Sequence, residues 1–168
     1  LRASGRHDQW VHVAERELAI IENDPVLKDT TPREFKRTLR EELARTYDTL
    51  MGDSERALGH LRVLCRTDGE FDPVLGERLR KLLRRTGRLP ELASELVASV
   101  ERRDDDGAAW LELAQIREER LLDLRGARDA YRAAESDPEQ ILDAVRGRRR
   151  CSERLRDWQG LADAIEAE

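Results

Sequence analysis

The sequence predicts an all-α chain, a solenoid of stacked antiparallel helical hairpins forming one repeat domain over residues 1–168. Three observations carry this. One stretch, 110–138, reads as a complete two-helix hairpin. Looser copies of it recur at a spacing near 35 residues, the size of a stacked helical unit. Aromatic residues are only 4% and charged residues 40%, which suits a thin core of Leu and Ala under an ion-paired surface.

Within the hairpin, Trp110, Leu111, Leu113, Ala114, Ile116, Leu121 and Leu122 recur at helical spacing, while Glu112, Gln115, Glu118 and Glu119 fill the opposite face. A turn is expected at Asp123 to Arg125. Ala127, Ala130, Tyr131, Ala133 and Ala134 then give a second helix a narrow face of small residues, which lets two axes approach to roughly 8 Å. Asp137, Pro138 and Gln140 read as an N-cap, a first-turn proline and a capping-box partner opening the next helix.

The period follows from sliding the chain against itself. Leu43, Ala44, Asp53 and Ala57 fall on Leu113, Ala114, Asp123 and Ala127 at 70 residues. At half that step, Gly52 and Leu61 fall on Gly87 and Leu96, and Leu96 on Tyr131. Such hairpins bury their apolar faces only against their neighbours, so at least about three copies are needed.

Taken in order, Arg2 to Asp8 is expected to be frayed or a turn, and Trp10, Val13, Ala14, Leu18 and Ile21 form the first stripe. Trp10, Val13 and Ala14 align with Trp158, Leu161 and Ala162, which makes this helix the second of a pair whose first member lies upstream. Asn23 to Arg33 reads as a long linker, and Thr31 to Glu34 as a capping box. The next helix points Phe35, Leu39, Leu43, Tyr47 and Leu50 inward, with Gly52 a left-handed stop and Asp53 the following cap. Ala57, Leu58, Leu61, Leu64 and Cys65 face the core from its partner. Asp72 and Pro73 open a helix carrying Val74, Leu75, Leu79, Leu82 and Leu83 that ends at Gly87, and Leu89, Leu92, Ala93, Leu96, Val97 and Val100 follow. Arg102 to Gly107 is a charged turn. The last pair carries Ile141, Leu142, Ala144, Val145, Cys151 and Leu155, then Trp158, Leu161 and Ile165, whose apolar edge is left open. With no polar capping helix and no initial methionine, the chain is expected to be part of a longer array or multidomain protein.

In Trp110, Leu113, Ala114, Ala127, Tyr131, Ala134 and Pro138 the chain resembles the tetratricopeptide repeat family, in the manner of degenerate bacterial repeats. Leu92 and Leu161 depart from its pattern where the second helix carries an alanine. The resemblance implies a right-handed α-solenoid of about seven to eight helices and a non-catalytic scaffold for protein–protein interaction. It also implies a concave groove lined by the first helix of each pair. Carried onto this chain, the groove residues are Glu41, Arg45, Asp48, Arg80, Arg84, Gln115, Glu118 and Glu119. Their mixed charge suits gripping a peptide, a helix or a partner subunit by hydrogen bonds and ion pairs. The bland alternative is a solvated face.

Charge and motifs narrow the classes further. Lys and Arg number 31 against 36 Asp and Glu, for a net charge of −5. That argues against a general nucleic-acid binder, whose affinity rests on neutralised phosphates. Only Lys28, Lys36 and Lys81 are lysines, and the arginine excess reads as a GC-rich bacterial genome rather than a phosphate site. Cys65 and Cys151 are expected to be free thiols, consistent with a reducing cytoplasm. No apolar run reaches the roughly 18 residues of a membrane span, so no membrane partner is expected.

His7 and His12 are five residues apart and do not share a helix face as metal ligands would. His60 reads as a lone surface residue. Asp104, Asp105 and Asp106 lack calcium-loop spacing and serve better as a helix cap. Arg148, Arg149 and Arg150 form the one dense basic run, a phosphate or acidic-peptide contact at most and otherwise a solvated face. The three tryptophans read as core or inter-repeat wedges. No metal, catalytic set or cofactor is expected. The rival readings are a regulatory or oligomerisation arm of an enzyme, an RNA-binding helical repeat, and self-association through exposed terminal helices.

Overall fold

The computed structural model describes residues 4–67, 72–101 and 107–167. Every regular element among them is helical, and the chain forms two compact units, Leu1–Thr86 and Gly87–Glu168.

The first unit begins with α1 (Ser4–Asn23), which takes in the polar residues from Ser4 to Asp8 expected to fray. Val11, Ala14, Leu18 and Ile21 form its buried face, set against α3 (Arg33–Thr46) and its extension. The expected linker folds instead as a short helix, α2 (Pro25–Thr30), because Asp24 caps it: one carboxylate oxygen accepts the Val26 N–H at 2.8 Å and the Leu27 N–H at 3.2 Å. The capping box at Thr31 is not made. Thr31 closes α2, donating its N–H to the Leu27 carbonyl, and α3 starts after Pro32 without a side-chain cap.

α3 continues as a π-helical turn, Tyr47–Met51. The extra residue per turn changes which side chains face inward. Leu43, Ala44 and Tyr47 are buried, while Leu50 is exposed rather than inward. Phe35 is also 44% exposed, because the start of α3 borders an open groove beside α1 rather than the core. Gly52, at φ 69, ends the turn and Asp53 accepts the Arg56 N–H at 3.1 Å to start α4 (Ser54–Thr67). Ala57, Leu58, Leu61 and Leu64 fill the space between α3 and α5 (Pro73–Arg85). Asp72 caps α5 through the Val74 and Leu75 N–H groups, and Val74 itself is exposed.

The second unit holds α6 (Leu89–Val100), α7 (Gly107–Glu119), α8 (Leu124–Ala134), α9 (Ile141–Leu155) and α10 (Trp158–Ala167). α7 packs on both α8 and α9, and α9 on α8 and α10, the contact pattern of two successive hairpins. Ala127, Ala130 and Ala134 are buried, and so is the Tyr131 ring between them. The α7–α8 turn comes earlier than expected. Leu121 and Leu122 lie beyond the helix and are exposed, with Leu122 left-handed at φ 54. Asp137 does not cap α9; it accepts the Glu139 N–H within a turn that delivers the chain to Ile141. Ile141 and Leu142 in the first turn of α9 are exposed, not inward. Ten α-helices form among the described residues, more than the seven to eight expected, α2 being one that read as linker.

Candidate interaction surface

In the first unit the helices that open the hairpins, α3 and α5, are joined by ion pairs. Arg37 reaches Asp72, 35 positions on, and Arg85 reaches Asp48, 37 positions back. These separations match the repeat period, so each pair ties one hairpin to the next. Of the five groove candidates here, four are already engaged. Glu41 accepts from Arg37 Nε at 2.9 Å, and Asp48 is held by Arg85. Arg80 and Arg84 both donate to Glu77, at 3.0 and 2.9 Å. Burial pushes the Glu77 pKa upward, but those two guanidinium groups outweigh it and hold the carboxyl below its ordinary value. Arg45 is exposed and makes no ion pair among the described residues.

In the second unit Gln115 and Glu119 are exposed, but Glu118 is only 5% exposed and does not offer a free carboxylate to a groove. Its oxygens accept from the Tyr131 hydroxyl at 2.7 Å and Arg150 Nη2 at 3.0 Å, with Arg154 at 3.6 Å. Burial raises the Glu118 pKa, yet the Arg150 and Tyr131 hydrogen bonds and the two arginine charges more than reverse it, so the carboxyl titrates below its usual range. Burial, followed by the hydrogen bond to Glu118, moves the Tyr131 phenol the other way, above its usual range. The helical stripe of α7 gave no sign that Glu118 turns inward. Its partners come from α8 and from α9, a full repeat later.

The arginine run is a solvated face only in part, Arg149 and Arg150 being partly exposed and Arg148 buried. Arg148 is buried on Glu135 and the Asp163 carbonyl, Arg149 pairs with Glu153, and Arg150 lies over the Tyr131 ring at 5.9 Å while bonding Glu118. His60 is half-buried rather than a surface residue. It stacks on Tyr47, whose hydroxyl donates to Glu15 at 2.6 Å, and burial together with the Arg40 charge lowers its pKa. The tryptophans do not all wedge between repeats, since Trp158 is 70% exposed.

Asp104 to Asp106 lie outside the described residues. Among those described, no group of His, Cys, Asp and Glu is placed to hold a metal ion, and no helix is long and apolar enough to cross a membrane. Neither Cys65 nor Cys151 is in a disulfide.

Sequence reasoning missed an apolar groove on the first unit. Val13 and Ile20 of α1 project from the flank of its buried stripe, with Trp10 beside them at 37% exposure. Val13, Ile20 and Ile21 with Leu27 of α2, Thr31 and Phe35 of α3 line a trough of about 530 Å³, together with Arg16 and Glu17. Trp10, Val13, Glu17 and Ile20 follow one another at steps of three, four and three, a single ridge along the helix. The signal available beforehand was this second stripe, which reading Phe35 as inward and residues 23–33 as linker concealed.

No protein-family model and no curated protein matches the chain. Its fold is similar to that of a tetratricopeptide repeat protein from Parabacteroides merdae, with 16% identity and a TM-score of 0.56 over 78% of this chain and 51% of that one. It is also similar to MamA, with 16% identity and a TM-score of 0.53 over 99% and 91% of the two chains. The chain thus spans about half the length of the Parabacteroides protein. At this identity the likeness is one of fold: the chain folds as a tetratricopeptide-repeat-like array of helical hairpins.

Proposed function

We propose that the chain is a non-catalytic protein-interaction scaffold, and that its partner is an amphipathic helix of another protein laid into the groove bounded by α1, α2 and α3. The observation that carries this is the exposed pair Val13 and Ile20 facing Leu27 and Phe35 across the trough, with Trp10 exposed one turn before Val13. Apolar side chains at steps of three and four, with Glu17 and Arg16 beside them, are what a second helix reads when it packs along a first. Large exposed apolar residues in a row are a binding surface more often than a solvated one.

A selection from a library of helical peptides tests the reading, run on the whole chain and on a Val13→Ser, Ile20→Ser counter-target. Enrichment of amphipathic helices that bind the chain at least about tenfold more tightly than the double variant supports it. Binders indifferent to the two substitutions would remove the groove. Concentration-dependent sedimentation abolished by the same substitutions would make the occupant a second copy of this chain.

Arg45 and Glu119 favour a second reading, in which a peptide is gripped by the first helices of the hairpins. Among the eight groove candidates these two keep charged ends with no ion pair among the described residues. Charge reversal at Arg45 and Glu119 that changes peptide affinity while Val13→Ser does not would select this surface over the apolar trough. A net charge of −5 weighs against the RNA-binding alternative, which filter binding with single-stranded RNA at moderate salt addresses.

A further inference from the structure

The chain is acidic overall, yet one cavity of the first unit is lined mainly by cations. It holds about 220 Å³ and is walled by Lys28 of α2, by Arg33, Lys36, Arg37 and Arg40 of α3, and by Glu22 of α1. Val63 and Leu64 of α4 complete its lining with apolar surface.

Charge balance shows a surplus. Arg40 pairs with Glu22, and Arg37 is shared between Glu41 and Asp72. The Lys36 ammonium has no carboxylate partner among the described residues; it donates to the Lys28 carbonyl in the last turn of α2 at 2.8 Å. Lys28 and Arg33 make no ion pair among the described residues. The neighbouring Asp29 and Glu34 are exposed and do not line the cavity. Among the described residues five cations therefore meet three carboxylates, leaving two positive charges over. Two of the chain's lysines stand here, and they come together only because the stretch between α1 and α3 folds as α2.

Size and charge together limit the ligand. The volume falls below the roughly 300 Å³ at which drug-sized pockets begin. The cavity suits one compact anionic group on a short carbon stem, with anything larger extending into solvent. A carboxylate neutralises one surplus charge. A phosphate monoester carries up to two near neutral pH and offers three acceptor oxygens to guanidinium forks and ammonium groups. The Val63 and Leu64 side chains suit the carbon that bears the ester.

We propose that this cavity binds a phosphate monoester group, carried either on a polypeptide side chain or on a small metabolite. The inference is independent of the helix-binding groove and stands or falls separately from it.

Calorimetry on the whole chain at fixed ionic strength tests it, using O-phosphoserine, a phosphoserine peptide, the same peptide with Glu in that place, and acetate. The expected result is binding of the phosphate probes and not of acetate, strengthening as pH rises through the second phosphate pKa near 6. Lys28→Gln with Arg33→Gln, at two side chains without internal ion pairs, should leave the circular dichroism unchanged and weaken binding at least about tenfold. A peptide at least about tenfold tighter than free phosphoserine identifies a modified polypeptide as the source, and equal affinities identify a small metabolite. No binding by either phosphate probe, indifference to the double substitution, or a Glu peptide that binds as well as the phosphopeptide would overturn the proposal.

Discussion

Leu122 stands 35 residues after Gly87 and holds the same left-handed backbone, φ 54 against 69. Gly52, a further 35 residues upstream, is also at φ 69, and Arg156, 34 residues downstream, is at φ 57. The turn that closes each hairpin thus keeps its conformation through four copies while only two keep the glycine that makes it inexpensive. A side chain in this region costs about 1–2 kcal/mol, and glycine returns about 0.5–1 kcal/mol of that through a freer unfolded chain. Both Leu122 and Arg156 are exposed, so little packing is lost on replacement. Leu122→Gly and Arg156→Gly are each expected to raise stability by about 0.5–1 kcal/mol in urea unfolding. Gly87→Ala should lower it by a similar amount. A destabilised Leu122→Gly would show that the turn draws its stability from the leucine side chain instead.

Glu118 gives the α7–α8 hairpin a pH dependence. Its folded pKa lies below the ordinary carboxylate value, so the stability it contributes is fully present above that ordinary value, near 4.3, and drains away as the pH falls through the folded pKa. Glu118→Gln should lower the melting temperature at pH 7 and flatten its fall on acidification below about pH 4.5, so that the two chains converge in acid. Glu118→Ala should cost about 1–3 kcal/mol at pH 7, because the buried Tyr131 hydroxyl loses its acceptor. The cost stays below that of a fully buried ion pair, since Arg150 and Arg154 are each about half exposed and can turn to water. Identical acid profiles for the parent chain and Glu118→Gln would sink the assignment.

The period, the helix order and most of the core could be read from the sequence because they rest on local signals. Ala114, Ala127, Tyr131 and Ala134 announce close helix packing by size alone, and all four are buried. Asp72 and Asp53 are legible as caps because the bond is made within three residues. What escaped depends on chain segments far apart. Glu118 reads as outward on the α7 stripe until Arg150, 32 residues later, and Tyr131 converge on it. Leu50 reads as inward until a π-helical turn advances the register. The cationic cavity needs Lys28 and Lys36 on two helices, the first of which sits in a proline-flanked stretch that imitates a linker.

The two thiols differ in access. Cys151 of α9 is fully buried, and burial followed by the Glu118 charge pushes its pKa up to about 11. At pH 8 such a thiol is roughly 0.1% thiolate, against about a quarter for an unperturbed cysteine of pKa 8.5. Cys65 is partly exposed. A disulfide reagent added to the native chain at pH 8 should therefore modify Cys65 alone, with Cys151 reacting at the rate of unfolding and fully in denaturant. Rapid native labelling of Cys151, detected by mass spectrometry of the α9 peptide, would contradict the close packing of that helix.

That packing depends most sharply on Gly147. A Cβ at this position of α9 would lie 2.3 Å from both Cε1 and Cζ of the Tyr131 ring, far inside contact distance. The ring cannot easily yield, because its hydroxyl is tied to Glu118 and its other side is buried among the alanines of α8. In an exposed helix, Gly→Ala stabilises by about 1 kcal/mol. Here the overlap should dominate, and Gly147→Ala is expected to destabilise by about 1–3 kcal/mol. Tyr131→Phe in the same background should not restore the loss, since the clash is with ring carbons that Phe keeps. Tyr131→Leu, which removes the planar ring, should recover part of it. A double-mutant cycle in chemical unfolding reads the coupling directly: a coupling near zero between Gly147→Ala and Tyr131→Leu would mean that α8 and α9 do not approach as closely as this pair requires.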